Sequence, residues 1–222
     1  MEDEDYQENM VLWLEADDDV PATGTWEDKS GENNDCSLVG NAYVDQGEGI
    51  ILDGNGDRGF IDQADELDFG SDNDFSISLW FKTTSESYPH QICYGEDDSQ
   101  LIRIMCAVGT GYYTLDDDSD TLNGSTGSTA LNDGNWHHHV MSCDRDGNIA
   151  FYRDNVKYQK SMTSIDNLTN STYPNWIIGA LRTSSAGYSN DFDGTIDDIR
   201  IYSEALIPIM VKRIYDHGDH NT

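Results

Sequence analysis

The sequence predicts an all-β protein, an antiparallel two-sheet sandwich with one short C-terminal helix, and three observations carry that prediction. Asp74 to Lys82, DFSISLWFK, alternates strictly: Phe75, Ile77, Leu79 and Phe81 fall on one face, Ser76, Ser78, Trp80 and Lys82 on the other. Trp136 to Cys143 and Ile149 to Val156 are rich in aromatic and β-branched residues around an Asp-Arg-Asp-Gly turn, the pattern of a hairpin. Turn signals containing many of the 20 glycines recur along the chain, and a helical period emerges only after Ser203. Roughly ten to fourteen short strands are expected from this spacing.

In chain order, an acidic and flexible start (1–10) precedes a body (11–218) and a short tail (219–222). Val11 to Leu14 is a first short strand, followed by the turn-rich loop TWEDKSGENNDCSLVG. Gly49 to Asp53 is a strand ending in Gly54-Asn55-Gly56-Asp57, with Phe60 and Ile61 beyond. Alternation puts Asp53 on the face of Ile51; if that face is the core, the acid needs a donor, a basic partner or a cation. After the half-buried strand 74–82, further strands are predicted at Gln91–Tyr94, Gln100–Val108 and Tyr112–Leu115. Asp116 to Asp120 superficially matches a calcium loop, but Thr121 and Gly127 stand where Gly and Glu are required, so a solvated loop is predicted. The hairpin 136–156 follows, then a strand at Pro174–Leu181, a polar loop, and the strand FDGTIDDIRIY. In that strand Asp197, Ile199 and Ile201 are predicted to share one face, with Ile196, Asp198, Arg200 and Tyr202 on the other. A helix is expected to start with Pro208 in its first turn and end before Gly218, showing Leu206, Met210 and Ile214 to the body.

The 43 acidic residues against 12 basic ones give a net charge of −31, distributed along the whole chain. At about 1 M salt the Debye length falls to about 3 Å and most of that repulsion vanishes, so adaptation to high salt is expected. An acidic extracellular protein partly neutralised by divalent cations is the other reading. Nucleic acid is excluded as a partner because no basic patch is legible. No apolar run approaches the roughly 18 residues of a membrane span, so no membrane insertion is expected. The first ten residues hold neither a basic nor an apolar leader region, so no signal peptide is predicted. A mature fragment carrying an added Met, or a protein released by lysis as part of a virus particle, would account for that. Cys36, Cys93, Cys106 and Cys143 allow three pairings; a Cys93–Cys106 bridge and buried free thiols both stay open.

VLWLEAD…WEDKSGENND, ILDGNGDRGFID, LDFGSDNDFSISLWFK, LNDGNWHHHVMSCDRDGNIAFYRDNV and FDGTIDDIRIYSEAL occur in the order and spacing of the laminin-G-like, concanavalin A-like jelly-roll family. From about Val11 to Asp216 the chain resembles that family, departing from it at His139 and Cys143. The resemblance implies two curved antiparallel sheets, frequently a calcium ion at a sandwich edge, and display on extracellular proteins or virion appendages as glycan-binding or adhesion modules. It also places Asp53, Gly54 and Asp197 where an edge loop meets the last strand.

Calcium (Ca2+) is therefore the expected cofactor, held by Asp53, Gly54, Asp57 and Asp197 with Asp28 as an additional ligand, since it favours carboxylates and carbonyls on glycine turns. The bland alternative is that these acids cap backbone N–H groups. His137, His138 and His139 cannot all converge from one strand, so a structural role within the hairpin is favoured over zinc. Glu66-Leu67-Asp68-Phe69 begins like the paired-carboxylate strand of jelly-roll glucan hydrolases, but Gly70 and Ser71 replace the second Glu, so no catalysis is expected. Sugar binding would use exposed aromatics beside polar groups: Tyr112, Tyr113, Trp176, Arg182 and Tyr188 are the candidates, and Tyr188 stands out because it lies in a polar loop, whereas aromatics of a β sandwich more often serve the core. Asn123, Asn167 and Asn170 begin N-x-S/T patterns. The expected function is a non-catalytic, surface-displayed module, foremost a virion decoration or appendage with an adhesion or assembly role at high salt. A secreted calcium-dependent lectin-like module is the alternative. Partners would be a surface glycan or capsid and tail proteins, with a homo-oligomer open, and the location extracellular or on a virion.

Overall fold

The computed structural model describes residues 7–17, 24–87, 89–97, 99–107, 109–127, 130–162, 165–185, 187–218 and 220. The first six positions of the predicted flexible start, and residues 219, 221 and 222 of the predicted tail, lie outside them.

Two antiparallel sheets stack face to face. The first contains β1 (Met10–Leu14), β4 (Tyr43–Asp45), β5 (Gly49–Asp53), β7 (Phe75–Lys82), β12 (Trp136–Cys143), β13 (Asn148–Arg153), β14 (Val156–Ser161) and β18 (Asp193–Tyr202). Its order is β14-β13-β12-β7-β18-β5-β4, with β1 also paired to β18. The second contains β2 (Thr25–Trp26), β3 (Cys36–Val39), β6 (Arg58–Ile61), β8 (His90–Gly95), β9 (Leu101–Ala107), β10 (Thr110–Asp116), β11 (Thr121–Ser125) and β15 (Trp176–Ile178). Its order is β11-β10-β9-β8-β15-β6-β3-β2, and a small hairpin, β16 (Leu181–Arg182) with β17 (Tyr188–Ser189), stands apart. The strands number 18 among the described residues, more than expected, because pairs such as β2, β16 and β17 are too short to leave a periodic signal.

The sandwich core is the alternating set from both inner faces, including Phe75, Ile77, Leu79 and Phe81 from β7 and Ile102, Ile104, Tyr113 and Trp176 from the second sheet. β7 is buried on its other face too, contrary to the half-buried expectation. Helix α1 (Pro208–His217) and the chain leading into it cover that side. Ser76 Oγ donates to Glu204 O at 2.8 Å and accepts from Leu206 N at 2.9 Å. Trp80 stacks on Tyr215 of the helix with centroids 5.4 Å apart. Leu206, Ile214 and partly Met210 pack inward as predicted, with Val211 added.

β18 breaks its alternation once. A bulge between Asp197 and Arg200, with Asp198 at a left-handed φ of 46°, lets the first half of β18 pair with β5 and the second half with β1. Ile196 and Ile199 consequently both face the core, and Asp197 lies opposite Trp80 on the outer face. The predicted placement of Asp197 beside Ile199 and Ile201 on the apolar face is corrected by that inserted residue.

All four cysteines are free and buried. Cys93 and Cys106 do lie on adjacent strands, but Cys106 faces the sandwich core while Cys93 belongs to the small cluster on the opposite face, so no bridge can join them.

Candidate functional site

Of the five residues expected to hold calcium, Asp53, Gly54 and Asp57 lie together in the turn after β5, while Asp28 and Asp197 hold other parts of the chain. Asp28 Oδ1 accepts the N–H of Trp13 (2.8 Å) and of Ser30 (2.9 Å), while Oδ2 accepts Ser30 Oγ (2.7 Å) and Asn34 N (2.9 Å). Asp57 is buried and accepts Asn41 N at 2.7 Å and Asp53 N at 3.3 Å. Asp197 Oδ1 accepts Ala16 N at 2.9 Å, and its Oδ2 lies 2.8 Å from His220 Nε2. Asp53 shares the outward face of Ile51, because Ile50 and Leu52 supply the core from β5; it is solvent-exposed and accepts from Asn41 and Asn55. The edge loop does meet the last strand, but there Asp53 pairs with Asp193, and Gly54 gives Asp193 room. Among the described residues no group of three or more His, Cys, Asp or Glu stands close enough to hold a metal. Donor hydrogens point at the very oxygens a cation would need, so these five residues do not fit a shared calcium ion.

The remaining chemistry-bearing motifs have structural partners. His137 lies between Asp154 (3.1 Å) and Asp133 (3.2 Å). Burial pushes its pKa down, but the bond and charge of Asp154, then of Asp133, outweigh that and raise it. His138 Nε2 meets Ser78 Oγ at 2.8 Å and His139 Nδ1 meets Gln91 Oε1 at 3.1 Å; burial pushes both histidines down to about 3. Glu66 begins no strand: it sits in a 3-10 turn, Asp65–Leu67, where it accepts from Asn34 Nδ2 at 2.9 Å. Asp68 accepts from Gly70 N and Thr169 Oγ1. Asp117 is no solvated residue: it is buried and accepts from Ser119 and Asp120 within its loop and from Asp166 N. Asn170 is also buried, donating to Gln100 O and accepting from Thr172 N and Tyr173 N.

The outer face of the second sheet is different. One row of cross-strand neighbours runs Phe60, Ile177, Cys93, Arg103, Thr114, Asn123. Over its first half folds the β16–β17 hairpin, burying Leu181 and Ala180 against Cys93, Leu101 and Ile177, with Phe60 and Tyr188 packed alongside. Burial raises the Cys93 thiol to about 12, and it donates to Ala180 O at 3.2 Å. On this apolar base the Arg58 guanidinium lies 3.8 Å from the Tyr188 ring centre, and Arg182 lies 5.1 Å from the same ring and 4.6 Å from that of Tyr173. Stacking of this kind keeps both cations in place without neutralising them. Arg58 donates to Gly56 O at 3.0 Å; the buried Nε of Arg182 has no acceptor.

Over the second half lies an open groove of about 320 Å³ lined by Arg103, Met105, Ala107, Tyr112, Thr114 and Asn123. Arg103 Nε donates to Thr114 Oγ1 at 3.0 Å, Thr114 donates on to Asn123 Oδ1 at 2.8 Å, and Arg103 Nη1 stands 3.6 Å from Asp97. Asp97 N in turn donates to Arg182 O at 3.0 Å, tying the groove to the arginine cluster. Tyr112 is 40% exposed above it. Of the expected ligand-binding residues, then, Arg182 and Tyr188 are in contact and Tyr112 lies on the same face. Tyr113 is a correction: it points into the core and its hydroxyl donates to Tyr152 O at 3.0 Å. Trp176 is also core. Arg58, Arg103 and Tyr173 were not anticipated; the available signal was the scarcity of cations, which makes every arginine of this chain worth locating.

The family described as the concanavalin A-like lectin/glucanases superfamily, of laminin-G type, matches residues 53–211. No curated protein matches the sequence. The binding domain of Paraclostridial Mosquitocidal Protein 1 superimposes with a TM-score of 0.76 at 16% identity, covering 95% of this chain and 52% of that one. The receptor binding domain of botulinum neurotoxin D gives 0.74 at 14% identity, covering 95% and 53%. The botulinum neurotoxin serotype D ligand binding domain in complex with N-acetylneuraminic acid gives 0.72 at 16% identity, covering 96% and 52%. This chain spans about half the length of the solved domains it matches, and at these identities the likeness is one of fold.

Proposed function

Because the chain belongs to the concanavalin A-like lectin/glucanase superfamily, we propose that it is a non-catalytic glycan-binding module that works outside cells and contacts its sugar through the outer face of the second sheet. The observation that carries this reading is the Tyr188–Arg58–Arg182–Tyr173 cluster continuing into the Arg103–Tyr112 groove. A pyranose needs an aromatic plane for its C–H face and fixed polar groups for its hydroxyls, and this face offers both on a rigid sheet. Among the described residues no helix is long and apolar enough to cross a membrane. The names of the similar structures are those of binding domains, one of them complexed with a sugar acid, which supports recognition over reaction. Glu66 and Asp68, the residues nearest to a hydrolytic pair in sequence, are committed to local hydrogen bonds.

The test is a glycan array read at high and low salt with the wild type, Tyr188→Ala and Tyr112→Ala. Binding of a defined glycan class by the wild type, weakened in both variants, is expected; a blank array for folded wild type overturns the reading. A second reading, display on a larger assembly such as a virion, is favoured by Ile207 and Ile209. They are 55% and 53% exposed beside a groove of about 400 Å³ between the helix entry and β13–β14. Isolation of the module bound to capsid or tail proteins would establish it.

A further inference from the structure

We infer that the Arg58–Tyr188–Arg182 cluster is a subsite for the carboxylate of an acidic sugar, so that the glycan bound by this module carries a sialic or uronic acid. The inference rests on the glycan-binding reading above and adds the chemical class of the ligand.

The argument begins with how this chain treats its cations. Carboxylates outnumber Lys and Arg by 43 to 12, so a cation without a carboxylate partner is against the odds of composition. Lys29 pairs with Glu15 and Asp17, Lys82 with Glu48, Arg200 with Asp198 and Lys212 with Asp216. Arg145 and Lys160 donate to backbone carbonyls and Lys157 lies over Tyr152, so among the described residues they have no carboxylate partner either; what sets Arg58 and Arg182 apart is that two unpaired guanidiniums share one ring, that of Tyr188. Among the described residues no carboxylate lies within ion-pair distance of either, and both instead stack on tyrosines. Arg58 spends one N–H on Gly56 O, and the Nε of Arg182 is buried without an acceptor.

Two guanidiniums over one tyrosine repel each other unless an anion sits between or beside them. The acids nearby form no ion pair with either arginine, although Asp191 keeps its Oδ1 buried without a partner. Asp97 faces Arg103, and Asp191 Oδ2 accepts the N–H of Gly56. The planar fork of a guanidinium matches a carboxylate in two parallel hydrogen bonds, a geometry that a hydroxyl of a neutral sugar cannot use. The next unit would lie toward Arg103 and Tyr112, since the row from β6 to β10 spans about 19 Å at the usual strand spacing. That length accommodates an oligosaccharide rather than a single ring.

The experiment measures binding of sialyllactose, its carboxyl methyl ester, lactose, 3′-sulfated lactose and a glucuronic acid oligosaccharide with its reduced neutral counterpart. The wild type is compared with Arg58→Gln, Arg182→Gln and Arg182→Lys. The free carboxylates are expected to bind roughly tenfold to a hundredfold more tightly than their ester or neutral forms, the worth of charge-assisted hydrogen bonds. The glutamine variants are expected to erase that preference with near-UV CD unchanged, and Arg182→Lys to restore only part of it. Equal binding of acid and ester by the wild type, a preference for sulfate over both carboxylates, or a carboxylate preference untouched in Arg58→Gln overturns the inference while leaving the glycan-binding reading standing. Failure of the wild type to bind any neutral or acidic sugar removes both. The ester comparison needs no variant, so a poorly folded mutant does not blunt it.

Discussion

Removing the Asp28 carboxylate separates a structural clasp from a cation site. Asp28 accepts from the N–H of Trp13, Ser30 and Asn34 and from Ser30 Oγ, and so pins β1 to the 28–35 loop. In Asp28→Ala those four donors lose their acceptor. Water can replace it for the Ser30 pair at the loop surface, but poorly for Trp13 N, which is in a largely buried strand. At about 1 kcal/mol for each bond not replaced, and somewhat more because the acceptor is charged, the loss should be about 2–4 kcal/mol. Asp28→Asn keeps one oxygen and turns the other into a donor facing donors, so about 1–2 kcal/mol is expected. The measurement is the urea midpoint at about 2 M NaCl, where loss of one negative charge from an excess of 31 no longer relieves repulsion appreciably. It is repeated with added calcium and with EDTA. A clasp predicts the same loss in both, with the wild-type midpoint indifferent to EDTA. The reasoning fails if Asp28→Ala stays within about 0.5 kcal/mol of wild type, or if EDTA alone destabilises the wild type as much as the substitution does.

Other outcomes follow from the same structure. His138 and His139 have folded-state pKa values near 3 against an ordinary 6.5. Their contribution is complete above about pH 6.5 and is lost as pH falls toward 3, by up to about 1.4 kcal/mol per pH unit for each histidine; a urea midpoint unchanged between pH 6.5 and 5 would contradict this. His137 has the opposite sign: its raised pKa makes its ion pairs with Asp154 and Asp133 stabilising below 6.5 and fading as pH rises through the folded value. His137→Gln should therefore cost more stability at mildly acidic than at alkaline pH. All four buried thiols should resist Ellman's reagent in the folded protein and react together on unfolding; labelling of one in the native state would place it at the surface. Transfer from about 2 M to about 0.1 M NaCl should collapse the near-UV CD spectrum as the self-repulsion of the net −31 charge becomes unscreened, and an unaltered spectrum counts against salt adaptation.

The parts of the fold that were legible in sequence are those whose periodicity runs unbroken. β7, the β12–β13 hairpin and α1 lie where alternation, turn chemistry and the Pro208 start place them. What could not be read was a phase. In β5 both Ile50 and Ile51 are apolar, and only the partner strand decides that Ile50 faces in and Asp53 out. Tyr112 and Tyr113 are the same problem: neighbours on a strand must face opposite ways, and composition does not say which one is the core residue. In β18 a single bulge reversed the phase of Asp197. The site was half legible for a related reason. Tyr188 stood out in a polar loop, but Arg58, 130 residues away in sequence, reaches its ring only through the order β15-β6 within the sheet and the hairpin folded above it.

An acidic protein that recognises an acidic sugar faces opposing fields, and the ranges of those fields decide the outcome. The net charge of −31 repels an anionic glycan over a Debye length, whereas the guanidiniums of Arg58 and Arg182 act at contact, on an apolar base of Cys93, Ile177 and Leu181. Salt removes the first faster than the second, because partly buried pairs are screened much less than distant surface charges. Affinity for sialyllactose should accordingly rise between about 0.02 M and 0.5 M NaCl, through a faster association rate, before declining at higher salt. An ordinary basic lectin surface shows a monotonic fall. Association rates that drop steadily from the lowest salt upward would mean that the glycan meets an attractive field, and the arginine cluster would then have to be part of a larger basic surface than these two arginines make.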